Sequence, residues 1–149
     1  MKILQGKSGF TLAELLIATA LLTVILTGVM VTFFRCLELN EVSANTSKAV
    51  LAARARMAQI EGTNYSQVNA TFDNVTFNVS GLNGKGVTYV DDSVPNILTV
   101  TTVVCWRQKS NRLYGEDANL NGVLNGGEDT NGNGRLDSIV QFETQRFNL

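Results

Sequence analysis

The sequence predicts an α+β protein in which one long N-terminal helix is followed by a small antiparallel β-sheet. Three observations support this fold class. Residues 15–34 are apolar and uncharged, and residues 48–60 are rich in the good helix formers Ala, Leu, Arg, Met and Gln. After Gly62 the composition changes to Asn, Thr, Val, Gly and aromatic residues, which favour strands and turns. The chain of 149 residues is long enough for one modest core outside the apolar segment.

The apolar segment Leu15–Phe34 is long enough to cross a membrane. Its twenty residues would rise about 30 Å as an α-helix, which is the thickness of the hydrocarbon layer. Lys2 and Lys7 precede it, and Lys and Arg favour the cytoplasmic side of a membrane. The segment therefore predicts a single membrane pass with the N-terminus in the cytoplasm and the C-terminus outside.

Two ordinary explanations of this segment fit less well. A secretory signal peptide has a shorter apolar core followed by small residues, whereas Arg35 and Cys36 follow here. A plain membrane anchor explains the length but not Glu14, a carboxylate just inside the apolar run. An unpaired carboxylate in lipid costs about 3 kcal/mol even on the mildest scale. Glu14 is therefore expected to have a partner, which need not lie in the same chain.

Residues 9–16, which read GFTLAELL, resemble the class III signal of bacterial type IV pilins and type II secretion pseudopilins. The resemblance covers about the first 35 residues. It implies that a prepilin peptidase cuts between Gly9 and Phe10 and that the new N-terminal Phe10 is N-methylated. It also implies that Glu14 pairs with the N-terminal amine of a neighbouring subunit when the filament assembles.

The resemblance further implies a pilin-like architecture and a set of partners. The partners are other pilin or pseudopilin subunits, the prepilin peptidase, an inner-membrane assembly platform and, before assembly, the bacterial inner membrane itself. The pilus or pseudopilus would then lie in the periplasm or at the cell surface. The segment has no proline, which favours a minor subunit. The expected parts are a leader at 1–9, the membrane and polymerisation half of the helix at 10–34, its outer half at 35–62 and a sheet domain at 63–149.

The outer half of the helix is expected to bury one stripe and to end near Glu61, before Gly62. The stripe consists of Val42, Ala49, Ala53, Met57 and Ile60.

Four segments beyond the helix have strand composition, and the third is continuous enough to be the central strand. A hairpin-like loop is expected at Gly81–Gly86 and a turn at Asp91–Pro95. The four strand segments are Thr71–Ser80, Val87–Val90, Ile97–Trp106 and Ile139–Phe147.

Residues 115–138, which read GEDANLNGVLNGGEDTNGNGRLDS, contain a twelve-residue calcium-loop pattern. Such loops place short oxygen side chains on alternate positions, a glycine at the sixth position and a carboxylate at the twelfth. Alternate side chains then converge on one point, and Gly122 permits the sharp turn. The expected ligands are Asp117, Asn119, Asn121, Val123 through its carbonyl oxygen, Asn125 and Glu128.

A second, overlapping motif follows and resembles the short repeats of dockerin-like and thrombospondin-type calcium loops. Val140 stands where its closing carboxylate would be. The pattern predicts calcium as the cofactor, with one ion expected and a second left open. The alternative is a solvated Asn/Gly turn with incidental acids. The second set of expected ligands is Asp129, Asn131, Asn133, Arg135 and Asp137.

Composition argues against other classes of function. The chain has no His and shows no nucleophile motif or phosphate-binding loop, so an enzyme is not expected. A net charge of −1 gives no basic footprint, and nucleic acid is not an expected partner. The competing hypothesis is a membrane-anchored, calcium-dependent module that adheres to surfaces or contacts cargo or DNA. Cys36 and Cys105 leave two alternatives open, one disulfide or two free thiols.

Overall fold

The computed structural model describes residues 9–148. The predicted leader at 1–9 therefore lies outside the described residues except for Gly9. The chain divides into two compact units, residues 1–40 and residues 41–149. Helix α1, Leu12–Glu61, has 50 residues and confirms the long N-terminal helix.

The part of α1 in the first unit exposes its apolar side chains and satisfies its polar ones internally. Four threonine hydroxyl groups donate hydrogen bonds to carbonyl oxygens three or four residues earlier, at distances of 2.8–3.0 Å. Each of these hydroxyl groups has its donor satisfied within the helix, so it can face an apolar surrounding such as lipid without an unpaired donor. The four are Thr19, Thr23, Thr27 and Thr32.

The part of α1 in the second unit confirms the predicted stripe. Ala49, Ala53, Met57 and Ile60 are buried, and Val42 is half-buried. After Glu61 the Gly62 amide donates to the Ala58 carbonyl oxygen at 3.1 Å, which closes the last turn.

The second unit also contains a short helix and an antiparallel sheet of five strands. The central strand, β3 (Ile97–Arg107), pairs with β2 (Gly84–Val94) along one edge. Along its other edge it pairs with β5 from Ile97 to Val104 and with β4 at Trp106 and Arg107. The outermost strand, β1, pairs with β2. The elements are α2 (Tyr65–Phe72), β1 (Val75–Asn78), β2 (Gly84–Val94), β3 (Ile97–Arg107), β4 (Leu113–Tyr114) and β5 (Val140–Phe147).

The sheet confirms the central and last predicted strands and corrects the first two. Thr71 and Phe72 belong to α2, a helix that was not predicted. Burial of the Val68 and Phe72 side chains stabilises this helix. The predicted loop at Gly81–Gly86 ends earlier, since β2 begins at Gly84. Gly86 pairs with Phe77, and a Cβ atom at Gly86 would collide with the Phe77 ring. The glycine is therefore a strand residue that makes room for an aromatic ring.

The predicted turn at Asp91–Pro95 is shorter than expected. Strand β2 continues to Val94, and its register against β3 shifts between Asp91 and Val94. The shift marks a bulge, which lets a strand bend without ending.

Both faces of the sheet are covered. On one face Val104 and Trp106 pack with Ala49 and Ala53 of α1. On the other face Val103 and Cys105 pack with Leu136, which belongs to the segment between β4 and β5. That segment is residues 115–138, called the acidic loop below. The loop is therefore a layer of the domain with its own apolar contact to the sheet.

Candidate functional site

The first candidate site is the junction at the start of α1. Gly9, Phe10 and Thr11 precede the helix, and the Phe10 side chain is 92% exposed. Glu14 lies in the first turn, and its Oε2 atom accepts hydrogen bonds from the Thr11 amide at 2.8 Å and the Thr11 hydroxyl at 2.9 Å. The Glu14 amide donates to Thr11 Oγ1 at 3.2 Å. These reciprocal bonds form a capping box, which satisfies amide groups that a helix start leaves free.

Sequence reasoning overlooked Thr11, although the signal was present. A Ser or Thr followed three residues later by Glu or Gln is the pattern of a capping box. Within the described residues, Glu14 makes its hydrogen bonds through Oε2, and Oε1 accepts none. The carboxylate can therefore hold the helix start and still present one oxygen to another group.

The second candidate site is the acidic loop, which contains two half-loops of matching sequence. The first half-loop is residues 117–127 and the second is residues 129–138. Asp117 is fully buried; its Oδ1 accepts from the Asn121 amide at 3.0 Å, and its Oδ2 accepts from the Gly122 amide at 2.7 Å. Asp129 is half-buried and makes the equivalent bonds to the Asn133 and Gly134 amides at 3.0 and 2.9 Å.

The asparagines continue the same repeated geometry. Asn119 accepts from the amide two residues later at 2.9 Å, and Asn121 does so at 2.7 Å. Asn131 and Asn133 repeat these bonds at 3.1 and 3.0 Å. The sequence repeat of twelve residues is thus also a repeat of hydrogen bonds.

Glu128 is 7% exposed and lies against the first half-loop. Its Oε1 accepts from the Ala118 amide at 2.9 Å, and its Oε2 accepts from the Asn125 amide at 2.9 Å. Burial raises the pKa of Glu128, but the N–H groups of Asn125, Ala118 and Asn119 outweigh burial and hold the pKa below its ordinary value.

The remaining predicted ligands divide between the two half-loops. Val123 donates its amide to Asn121, and its carbonyl oxygen accepts from Asn125 Nδ2 at 2.7 Å. Asp137 accepts from Asn131 Nδ2 at 2.6 Å and from Asn133 Nδ2 at 2.7 Å, and lies 3.8 Å from the Arg135 guanidinium. The acidic loop is thus rich in oxygen acceptors. Among residues 9–148, no three His, Cys, Asp or Glu side chains form a cluster that could hold a metal ion.

Sequence reasoning assigned no role to Glu116, which lies against the second half-loop. Its Oε1 accepts from the Thr130 amide at 3.1 Å and also from the Thr130 hydroxyl. Its Oε2 accepts from the Asp137 amide at 3.0 Å. Glu116 stands just before the twelve-residue pattern, so a search confined to that pattern leaves it out.

The two cysteines have different surroundings. Cys36 is exposed, Cys105 is buried in β3, and each is a free thiol in the structure. Burial raises the pKa of the Cys105 thiol to about 11. The two alternatives that the sequence left open, one disulfide or two free thiols, both stay open.

Two cations near Trp106, Arg107 and Arg112, have intramolecular partners. Arg107 donates to the Ala118 carbonyl oxygen at 2.6 Å, and the Arg112 guanidinium lies 5.3 Å from the centre of the Tyr114 ring. Tyr114 in turn stacks on Trp106 with ring centres 5.1 Å apart. These contacts tie the acidic loop and the β3–β4 turn to the sheet.

The class of protein follows from the N-terminal helix. Within the described residues, α1 is the helix long and apolar enough to cross a membrane, and none of its apolar window is buried. With the antiparallel sheet domain that follows, this defines a class of protein in which a helix long and apolar enough to cross a membrane precedes a small α+β domain.

Comparison with known families adds a more specific assignment for the N-terminal segment. Residues 4–30 match the family described as the prokaryotic N-terminal methylation motif, which is the signature of type IV pilins and pseudopilins. The chain carries that signature, which supports a structural filament subunit and implies processing by a prepilin peptidase and assembly with other pilin subunits. The apolar helix is consistent with membrane anchoring and a pilus. Searches of the curated proteins and of the solved structures found no match.

Proposed function

We propose that this protein is a minor subunit of a type IV pilus or a type II secretion pseudopilus. The match of residues 4–30 to the methylation motif carries the proposal. The chain is cut between Gly9 and Phe10, and Phe10 is N-methylated. Before assembly the protein crosses the inner membrane once with its N-terminus in the cytoplasm. The absence of proline from residues 10–34 favours a minor rather than a major subunit.

The amine created at Phe10 and the carboxylate of Glu14 are complementary. Each is costly in lipid when alone, and pairing offsets much of that cost. Within one chain Glu14 uses Oε2 to cap the helix, while Oε1 is free of hydrogen bonds among the described residues. In the proposed filament Oε1 accepts from the amine of a neighbouring subunit and sets the axial register.

The test separates the pairing role of Glu14 from its capping role. Glu14→Gln keeps an oxygen for the capping box but removes the charge, whereas Glu14→Ala removes both. Both variants should be cleaved, which mass spectrometry checks through a new N-terminus at Phe10 that carries one methyl group. Both should then fail to enter filaments sheared from cells and detected by immunoblotting.

Glu61→Gln is the matched control, since Glu61 is an exposed residue of the same helix. It should be incorporated normally. Normal incorporation of Glu14→Gln together with failure of Glu14→Ala would reduce Glu14 to a helix cap and refute the pairing. A chain that keeps its leader would refute the processing step.

We also propose that the acidic loop binds calcium and that the ion stabilises the outer domain. Side-chain oxygens alternate along each half-loop, and both oxygens of the buried Asp117 accept amide hydrogen bonds. A carboxylate oxygen has two lone pairs, so such bonds leave acceptor capacity for a hard cation. An all-oxygen set of donors favours Ca²⁺ over zinc or copper. Asp117, Asn119, Asn121, Val123, Asn125 and Glu128 would hold the first ion.

Calorimetry on the full chain in detergent, stripped with a chelator, tests this proposal. We expect heat of calcium binding, a higher melting temperature in calcium, and protease resistance of residues 115–138 that chelation removes. Asp117→Asn should weaken binding at least about tenfold, because it removes a charge from the first ligand position. Asp91→Asn, which changes an exposed acid outside the loop, should bind like the parent. Absence of both heat and stabilisation would refute calcium binding.

A further inference from the structure

Each half-loop of the acidic loop is preceded by a glutamate whose side chain contacts the other half-loop. Glu128 directly precedes the second half-loop but accepts from the Ala118 and Asn125 amides of the first, both at 2.9 Å. Glu116 directly precedes the first half-loop but accepts from the Thr130 and Asp137 amides of the second, at 3.1 and 3.0 Å.

The two sets of contacts are equivalent by position. Counted from the aspartate that opens each half-loop, Ala118 and Thr130 are the second residues. Asn125 and Asp137 are the ninth residues. Each glutamate thus joins the second and ninth amides of the half-loop that it does not directly precede, using one carboxylate oxygen for each.

Glu116 fills a gap that the sequence pattern left in the second half-loop. Val140 stands at its twelfth position, where Glu128 stands for the first half-loop. Val140 begins β5 and is buried in the core on the helix face of the sheet. Because no carboxylate follows the second half-loop at that position, a carboxylate from upstream takes its place.

We propose that Glu116 and Glu128 form a reciprocal brace, in which Glu116 orders the second half-loop and Glu128 orders the first. The brace links the two half-loops, since Glu116 lies before the first half-loop and holds the second, while Glu128 lies between the two half-loops and holds the first. It requires no ion. Measured in a chelator, it stands or falls independently of the calcium proposal and of filament assembly.

Glutamine is the substitution that isolates the brace. It keeps the size of glutamate but replaces one acceptor oxygen by an NH₂ group, which then faces an amide donor. The Glu116 backbone amide still donates to the Asp137 carbonyl oxygen at 2.9 Å, so the chain path at this point retains a bond in Glu116→Gln. Hydrogen bonds to charged groups are among the stronger ones, so losing one should speed local amide exchange about tenfold or more.

The experiment is amide hydrogen exchange on the full chain in detergent with excess chelator. Glu116→Gln should speed exchange about tenfold at whichever of the Thr130 and Asp137 amides faces the new NH₂ group, and leave Ala118 and Asn125 within about twofold of the parent. Glu128→Gln should do the reverse. Glu61→Gln, the same change at an exposed site outside the loop, should change neither half-loop.

Three results would overturn the brace. One is that each variant loosens the half-loop that directly follows it. Another is that each loosens both half-loops equally, and the third is that neither variant changes exchange. Retention of the parent fluorescence spectrum of Trp106, the single tryptophan, would establish that the variants are folded.

Discussion

The two half-loops share a sequence pattern and a hydrogen-bond pattern but differ in burial. Asp117 is fully buried and Gly122 is buried, whereas Asp129 is half-buried and Gly134 is exposed. The first half-loop lies against β1, where a Cβ atom at Gly122 would come within 2.5 Å of Thr76 Cγ2. The repeat thus supplies two similar local structures, which differ in how deeply the opening aspartate and the turn glycine are buried.

The glycine pair gives the largest expected difference between the half-loops. Gly122 and Gly134 have φ angles of +78° and +76°, so alanine is strained at both, by about 1–2 kcal/mol. At Gly122 the collision with Thr76 should add about 1–3 kcal/mol, whereas nothing lies within 4 Å of a Cβ atom at Gly134. Urea unfolding followed by Trp106 fluorescence should therefore show the larger loss for Gly122→Ala. Equal losses would mean that contact with the sheet does not distinguish the half-loops.

The aspartate pair should give a smaller difference in the same direction. Asp117→Asn leaves a buried NH₂ group facing the Asn121 or Gly122 amide and should cost about 1.5–3 kcal/mol. Asp129→Asn makes the same change where water can compensate, and should cost less than about 1 kcal/mol. Unfolding in a chelator measures both without any contribution from an ion. If the two losses match, burial of Asp117 has no energetic consequence.

The cysteine pair should give the smallest effect on stability but a clear chemical one. At pH 8 iodoacetamide should modify the exposed Cys36 and not Cys105, whose burial raises its pKa to about 11. The unfolded thiol has a lower pKa, near 9, so the folded chain binds the proton more tightly. The stabilising contribution is therefore complete below pH 9 and is lost as the pH rises towards 11. Peptide mapping after alkylation checks the reactivity, and a stability profile over this range checks the sign.

The elements that the sequence predicted correctly are long ones in which a pattern repeats over many residues. The uncharged run and the stripe at Ala49, Ala53, Met57 and Ile60 placed α1, and the β-branched run from Ile97 placed β3. Helix α2 was not predicted because its eight residues mix Asn, Thr, Val and Phe, and burial of Val68 and Phe72 rather than propensity supports it. Strand β4 has two residues, too few for a period to show.

The residues of the candidate sites likewise divide into those that a local sequence pattern identifies and those that it does not. Glu14 could be identified from the sequence because a charge in an apolar run is conspicuous, and the half-loops because their spacing is regular. Glu116 could not, because its role depends on a contact with Thr130, fourteen residues away, that no local pattern encodes.

The capping box at the start of α1 has a consequence for the order of events in the life of the chain. Thr11 and Glu14, which close the first turn, both lie downstream of the peptide bond between Gly9 and Phe10. Removing the residues before Phe10 breaks none of these hydrogen bonds. The hydrogen bonds that close the first turn are therefore available both before and after the proposed cleavage, so neither folding of this turn nor removal of the leader has to precede the other.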